Sequence, residues 1–472
     1  MNWFLFYPEL YYLAGGLTFL FLSLGKQCNP RRTYVTALFA AILGVVVCLA
    51  SIRQQGDLFF QAYRVDLFSQ VFKVALSVGL FLIISICADL KDVAERNHPE
   101  FYLLLYFCTL AMMLLVSSVH ILTIYVALEL SSYSLYILTA LRRDEKLGLE
   151  ASIKYFLVGI FASAVMLFGV ALLYSTTKAL YVSDLIKVLP GILNMPIGVI
   201  GLLLTLCGFF FKLAVFPFHF WAPDVYQGAA NQATAYIATA SKVAAVAILT
   251  RMVAASGDGS IYLGHVLVVL SIVSMTVGNL AAIVQKDLKR LLAYSTVAHA
   301  GYVLIGILSM NSDGFAAAIF YAAALLIMKF TVFLVIVKVA DDGGNPDISQ
   351  LAGLHRRAPL LALALMVAIF SLAGIPPTIG FTGKFLVFTA AMQKGYFTLT
   401  LIAMVNVVIS LYYYLLVLKA AYLLEPDEPL PHIQLSFPTK VLAGALVLVM
   451  GVVGIFPTHL IQLSRAAAQM LP

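Results

Sequence analysis

The sequence predicts an all-α polytopic membrane protein of about fourteen transmembrane helices, with two inverted five-helix repeats and two broken helices. Three observations predict it. Hydrophobic residues make up 62% of the 472 positions and charged ones 11%, against roughly 45–50% and about 25% in a soluble domain, so no water-soluble core could hide the apolar surface. The apolar stretches are of spanning length, about 20 residues each, and are separated by short polar breaks. Two stretches are too long for one straight crossing and carry internal prolines, Pro217 and Pro223 in one, Pro376 and Pro377 in the other.

Taken in order, the spans fall near 4–24, 33–52, 66–88, 101–118, 120–141, 150–174, 196–225, 231–254, 261–284, 290–309, 314–339, 359–391, 397–422 and 438–460. The first, from Phe4 to Leu24, lacks the basic flank and small-residue cleavage site of a signal peptide and is read as a retained span. The cysteines Cys28, Cys48, Cys87, Cys108 and Cys207 stand singly, without the paired spacing of a metal centre, a redox centre or a disulfide framework.

Fourteen spans put alternate loops on opposite sides. One side holds Lys26, Arg31, Arg32, Lys91, Arg96, Arg142, Arg143, Lys146, Lys286, Lys289, Arg290, Lys338, Arg356, Arg357, Lys419 and Lys440; the other holds Arg53, Arg64, Lys178, Lys187, Arg251, Lys394 and Arg465. The positive-inside rule places the first set in the cytoplasm and both termini on the outer, periplasmic side. The net charge of +7 is therefore a topology signal, not a nucleic-acid surface, and Asp89, Asp92, Glu95, Asp144, Glu145, Asp341 and Asp342 read as solvated loop charges. Each five-helix set has its proline-broken helix fourth, and a unit with an odd number of spans must sit upside down relative to its copy. The expected organisation is 1–100 for three N-terminal helices, 101–254 for the first repeat, 255–424 for the inverted second repeat and 425–472 for the last helix.

Several ionisable residues lie deep in spans: Glu129, Lys154, Lys212, Lys242, His299, Lys329 and Lys384. At roughly 2.5–3.5 kcal/mol each, five lysines facing lipid would cost on the order of 12–17 kcal/mol, more than a typical domain's stability. They must face one another or internal water. Burial lowers a lysine's proton affinity and a nearby carboxylate raises it again, so such a pair can be toggled. Glu129 reads as the sole carboxylate deep in a span and thus as the partner of Lys212, whereas Lys73 and Lys419, nearer helix ends, read as snorkelling. Each proline break lies beside an ionisable residue: Lys212 precedes Pro217, Lys384 follows Pro377, and His219 lies within the first break. Tyr236, Thr239, Ser241, Tyr294, Ser295 and Thr296 are candidate holders of connecting water or, equally, helix-packing hydroxyls. A phosphate-binding glycine loop and a metal-ligand cluster are both missing from the sequence, which points away from nucleotide hydrolysis or redox chemistry within the chain.

The runs FKLAVFPFHFWAPDVYQGA from Phe211, TASKVAA from Thr239, KRLLAYSTVAHAGY from Lys289, SLAGIPPTIGFTGKF from Ser371 and EASIKYFLVG from Glu150 resemble the subunit N family of bacterial respiratory complex I, the NADH:quinone oxidoreductase, which is related to the Mrp-type sodium/proton antiporter subunits. The resemblance spans the fourth to thirteenth helices. It implies that Glu129 is the fifth-helix glutamate, Lys212 the seventh-helix lysine paired with it, Lys242 the central eighth-helix lysine, Lys384 the lysine of the broken twelfth helix on the outward route, and His299 the link between two half-channels. Lys154, His219 and Lys329 are further candidates. Ala230 and Gln232 stand where the family usually has prolines, and Lys329 and Lys73 where subunit N usually has neutral residues.

By the same resemblance, this chain carries no cofactor, while NAD, FMN and iron–sulfur clusters belong to partner subunits and quinone is the substrate of the complex. The implied partners are other membrane-arm subunits and the lipid bilayer of the bacterial inner membrane, with no nucleic acid. The implied role is proton translocation as a non-redox subunit. The alternatives are an Mrp-type sodium/proton antiporter subunit, the equivalent subunit of a membrane-bound hydrogenase or non-NADH dehydrogenase, and a purely structural membrane spacer.

Overall fold

A computed structural model describes residues 3–25, 29–193, 195–257, 261–340, 342–425 and 432–471, with Glu145 described by its backbone alone. Lys26, Cys28, Asp341 and the Glu145 side chain, all assigned above from sequence, lie outside the described residues.

The helices are α1 (Tyr7–Ser23), α2 (Pro30–Ser51), α3 (Leu67–Ser85), α4 (His98–Ser117), α5 (Ile121–Ala140), α6 (Glu145–Thr177), α7 (Val182–Ile192), α8 (Pro196–Leu213), α9 (Trp221–Gly228), α10 (Asn231–Ala238), α11 (Ala240–Ala254), α12 (Ile261–Ile283), α13 (Leu288–Leu308), α14 (Ser312–Val339), α15 (Leu354–Arg357), α16 (Pro359–Ala373), α17 (Ile379–Gln393), α18 (Phe397–Leu423), α19 (Phe437–Ile455) and α20 (Thr458–Ala468). Among the described residues, thirteen helical segments are long and apolar enough to cross a membrane, the α10–α11 pair counting as one. The remaining predicted span, the twelfth, is the pair of half-helices α16 and α17, so the chain is a multi-pass membrane protein.

Side-chain caps start many of these helices where the sequence supplies an acceptor for an orphan N–H. Asn29, Asp144, Asp287 and Asn311 cap α2, α6, α13 and α14, and Asp66 caps α3 in a reciprocal box with Ser69. Every residue from Asn231 to Ala254 is buried, whereas α2 and α19 leave most of their apolar side chains half-buried or exposed. The bundle therefore wraps α10–α11, with α13 and α14 beside them. Small residues let α12 and α13 approach closely: a Cβ on Gly278 would lie 2.5 Å from the Ala298 nitrogen, and Ser271 Oγ donates to the Gly301 carbonyl at 2.8 Å.

The two proline breaks are built alike. α8 ends at Leu213 with Ala214 left-handed (φ 62°), and α16 ends at Ala373 with Gly374 left-handed (φ 88°). In each, the next N–H folds back, Val215 to the Phe210 carbonyl and Ile375 to the Phe370 carbonyl, both at 2.9 Å. Each break contains a cis X–Pro bond, Phe216–Pro217 and Pro376–Pro377. The seventh span, expected to run to residue 225, thus ends at Leu213, because the left-handed Ala214 stops the ladder before the proline is reached. The eighth span, expected to be continuous, is interrupted at Thr239 (φ −116°, ψ −84°), a break with neither proline nor glycine to announce it. The sequence reading also passed over the antiparallel hairpin of β1 (Gly56–Leu58) and β2 (Tyr63–Val65) and the surface helices α7 and α20.

Candidate functional site: a buried row of ionisable side chains

The breaks position the site. Ending α8 early frees its last carbonyls, and Lys242 Nζ, reaching across from α11, donates to the Lys212 carbonyl at 2.6 Å. Ending α16 early does the same, and Lys384 Nζ donates to the carbonyls of Leu372 and Ala373, both at 2.9 Å. In both cases an ammonium stands at the negative end of a helix dipole and satisfies groups that would otherwise be orphaned in an apolar bundle. Aromatic faces complete the two seats: Lys242 Nζ is 4.5 Å from the Trp221 ring and Lys384 Nζ 4.9 Å from the Tyr302 ring. Trp221 is held in turn by its indole N–H on the Phe211 carbonyl at 3.0 Å and by stacking on Tyr155.

Lys212 points from α8 to α5, where its Nζ donates to Ser131 Oγ at 2.5 Å and to Ser132 Oγ at 3.4 Å. Both serines pass their own protons to the Leu128 carbonyl, which leaves their lone pairs for the ammonium. Glu129, on the same helix, accepts from Ser163 Oγ of α6. No ion pair joins Glu129 and Lys212 among the described residues; the structure holds the expected pair apart, each side chain on its own hydroxyls.

Beyond Lys242 a small cavity of about 20 Å³ lies between α11, α13 and α14, lined by Thr239, Lys242, Thr296, His299 and Lys329 among others. Lys329 Nζ donates to Thr296 Oγ1 at 2.6 Å. His299 is clamped by two tyrosines, Nδ1 against the Tyr321 hydroxyl at 2.7 Å and Nε2 against that of Tyr414 at 3.1 Å, and Tyr414 also meets Ser295 Oγ at 2.6 Å. The row therefore reads Glu129, Lys212, Lys242, Lys329, His299, Lys384, with neither lipid nor bulk solvent reaching the lysines: Lys212, Lys242, Lys329 and Lys384 are each no more than 7% exposed.

Two sequence candidates stand outside the row. Lys154 is exposed and pairs with Glu150 at 2.8 Å and Asp224 at 2.7 Å, because α6 begins further out than a span start at residue 150 implied. His219 is buried against the rings of Phe216 and Phe220, with no hydrogen bond linking it to the row and no partner for its Nδ1. Glu129 is not the sole deep carboxylate: Glu9, wholly buried in α1, pairs with Lys73 at 2.8 Å, and Lys73 is likewise wholly buried instead of snorkelling. Lys289 and Arg251, counted above as loop charges, are also buried. Lys289 Nζ is held by the Ala229 carbonyl, Asn231 and Asn345, and Arg251 by both oxygens of Asp66. Of the proposed hydroxyls, Ser295, Thr296 and Tyr236 bridge helices, the last to Thr109, while Ser241 bonds back across the break at Thr239 to the Ile237 carbonyl of α10. Tyr321, Tyr414 and the Ser131–Ser132 pair were missed, although two serines one residue beyond a carboxylate in an apolar helix were a readable signal.

A bundle whose broken helices seat buried lysines on freed backbone carbonyls has the build of an antiporter-like membrane subunit. The chain belongs to the NADH:quinone oxidoreductase/Mrp antiporter transmembrane family, whose model matches residues 118–410. It is 65% identical over 471 residues to the NADH-quinone oxidoreductase subunit N 2 of Syntrophobacter fumaroxidans, covering 100% of both chains. It is similar to a chain of respiratory complex I from Thermus thermophilus with bound aureothin, at a TM-score of 0.83 and 32% identity over 96% of this chain and 98% of that one. A chain of the Mrp complex from Dietzia sp. shares the fold, with a TM-score of 0.88 and 22% identity over 100% of this chain and 98% of that one.

Proposed function

We propose that the chain is the proton-translocating, antiporter-like subunit N of an NADH:quinone oxidoreductase, seated in the bacterial inner membrane beside other membrane-arm subunits, with both termini on the periplasmic side. Electrons pass through NAD, FMN, iron–sulfur clusters and quinone in the partner subunits, and this chain contributes no redox centre. The observation that carries the reading is the row from Glu129 to Lys384, in which every lysine is buried yet hydrogen-bonded.

The geometry supports one sequence of events. With Glu129 drawn away from Lys212, as it stands here, the ammonium of Lys212 has only hydroxyl partners and holds its proton less firmly than beside a carboxylate. Its backbone carbonyl already touches Lys242 Nζ, and repulsion between the two ammonium groups is poorly screened in the buried bundle. Lys242 faces the cavity shared with Lys329 and His299, and His299, held between two phenols, can accept on one nitrogen and release from the other. Lys384 receives the charge at the second break.

The test is proton uptake by vesicles containing the assembled complex. Lys212→Ala and Lys242→Ala are each expected to collapse proton translocation while the complex still assembles. Full translocation in either variant refutes the reading. The sodium-exchanging alternative predicts a free chain with sodium-dependent transport instead of co-purification with iron–sulfur subunits.

A further inference from the structure

The pair Glu9–Lys73 lies outside the row, in the three N-terminal helices, and the mechanism above does not use it. Both side chains are wholly inaccessible and their charged atoms are 2.8 Å apart. Two charges in an apolar bundle cost several kcal/mol each to desolvate, and a structural contact between α1 and α3 could be had from apolar side chains at no such cost. The surroundings are polar on every side. Tyr63 of β2 donates to Glu9 Oε1 at 2.6 Å, and its ring lies 5.2 Å from Lys73 Nζ. One turn further along α3, Ser77 accepts from Tyr12 of α1 at 2.6 Å. Among the described residues Glu9 Oε2 is buried without a hydrogen-bond partner, and Lys73 Nζ has the carboxylate alone. Unmet polar atoms beside a buried charge pair are groups that a water can satisfy.

The site also has two connections. Tyr63 belongs to the 56–65 hairpin, whose Asp57–Arg64 pair is solvent-exposed. In the other direction the Tyr12 ring packs on Tyr106 of α4, with centroids 5.8 Å apart, and the carbonyl of the adjacent Leu105 is reached by both Thr109 and Tyr236. Tyr236 shares a 2.5 Å hydrogen bond with Thr109 of α4, and the neighbouring Cys108 donates to the carbonyl of Ser131, whose hydroxyl holds Lys212. We propose that Glu9 and Lys73 form a second proton-exchanging pair, a side branch that joins the Lys212 end of the row to the face bearing the hairpin. In the transfer step an N–H bond of the Lys73 ammonium breaks as an O–H bond forms on Glu9. The acid releases that proton to water at the hairpin, and the neutral amine is reprotonated from the Ser77–Tyr12 side. The inference rests on the proton-translocating reading above.

The test is the ratio of protons moved to quinone reduced, measured on assembled complex. Lys73→Arg keeps a cation of similar reach but cannot give up its proton, so the complex is expected to assemble with a lowered ratio. Glu9→Leu/Lys73→Leu removes both charges together and is expected to assemble yet keep the lowered ratio, whereas a structural staple would recover the wild-type ratio once neither charge is left unpaired. A wild-type ratio in Lys73→Arg, or in the double variant, overturns the inference. Lys242→Ala measured in parallel separates the two readings: if it abolishes translocation while Lys73→Arg translocates normally, only the side branch fails, and if Lys242→Ala itself translocates normally, the underlying reading fails.

Discussion

Lys154 and Lys212 differ by what surrounds the amine. Lys212 has two serine hydroxyls and no access to water; Lys154 has two carboxylates and is 46% exposed at its side chain. The carboxyl of Asp224 feels burial, which raises its proton affinity, and the hydrogen bonds of Lys154 and Arg290, which lower it further than burial raises it. A carboxyl depressed in the folded state stabilises above its unfolded value and loses that contribution as pH falls through the folded one, so this pair matters at neutral pH and fades only below about pH 4. Because Lys154 is screened by solvent and Arg290 still holds Asp224 at 2.7 Å without it, Lys154→Ala is expected to cost no more than about 1 kcal/mol of stability and to leave proton translocation intact. Translocation lost on that substitution, with the amount of complex unchanged, would return Lys154 to the row. The central lysines were legible in the sequence because each interrupts a long apolar run. Glu9 and Lys73 were not, because both lie within a few residues of a span's start, where a charge usually reaches solvent; burial there depends on the hairpin folded over them. Lys289 and Arg251 escaped for the same reason, being sealed by loop residues distant in sequence.

At the level of elements, the breaks do the organising. Gly374 shows why: its φ of 88° favours a residue without a side chain, and a Cβ there would lie 2.9 Å from Lys384 Cδ and 3.4 Å from its Nζ. Gly374→Ala is therefore expected to strain the end of α16 and push Lys384 off the two carbonyls it caps, lowering translocation without removing any titrating group. Normal translocation and normal thermal stability of that variant would show that the cap is dispensable. At the first break Ala214 already occupies the left-handed position, so the two breaks reach one geometry from different residues. Pro217 and Pro377 marked both in the sequence. The interruption at Thr239 carried no mark, since Ala238, Thr239 and Ala240 read as ordinary helix and only the packing of neighbours decides that the ladder opens there.

For the whole molecule, the class of fold was legible from hydropathy alone, because spanning helices must satisfy their own backbone and so declare themselves by length. Which helices lie inside was not, since in a bilayer the periphery is as apolar as the centre. The structure puts α10 and α11 at the centre and α1, α2 and α19 at the rim, and it ties the N-terminal helices to the centre through Arg251 of α11 and Asp66 at the head of α3.

That enclosure has a consequence for biogenesis. The residues from Asn231 to Ala254 include Lys242 and Arg251 and are covered partly by α13 and α14, which a ribosome makes later. While the chain is being synthesised the segment must wait, still polar, beside the translocon or a chaperone, and cannot be released into lipid until its wrapping exists. A chain stopped after Gly257 is therefore expected to be retained and degraded, whereas one stopped after Val339 should persist; pulse-chase labelling of the two in membranes distinguishes them, and equal lifetimes would mean that the early half settles without its cover.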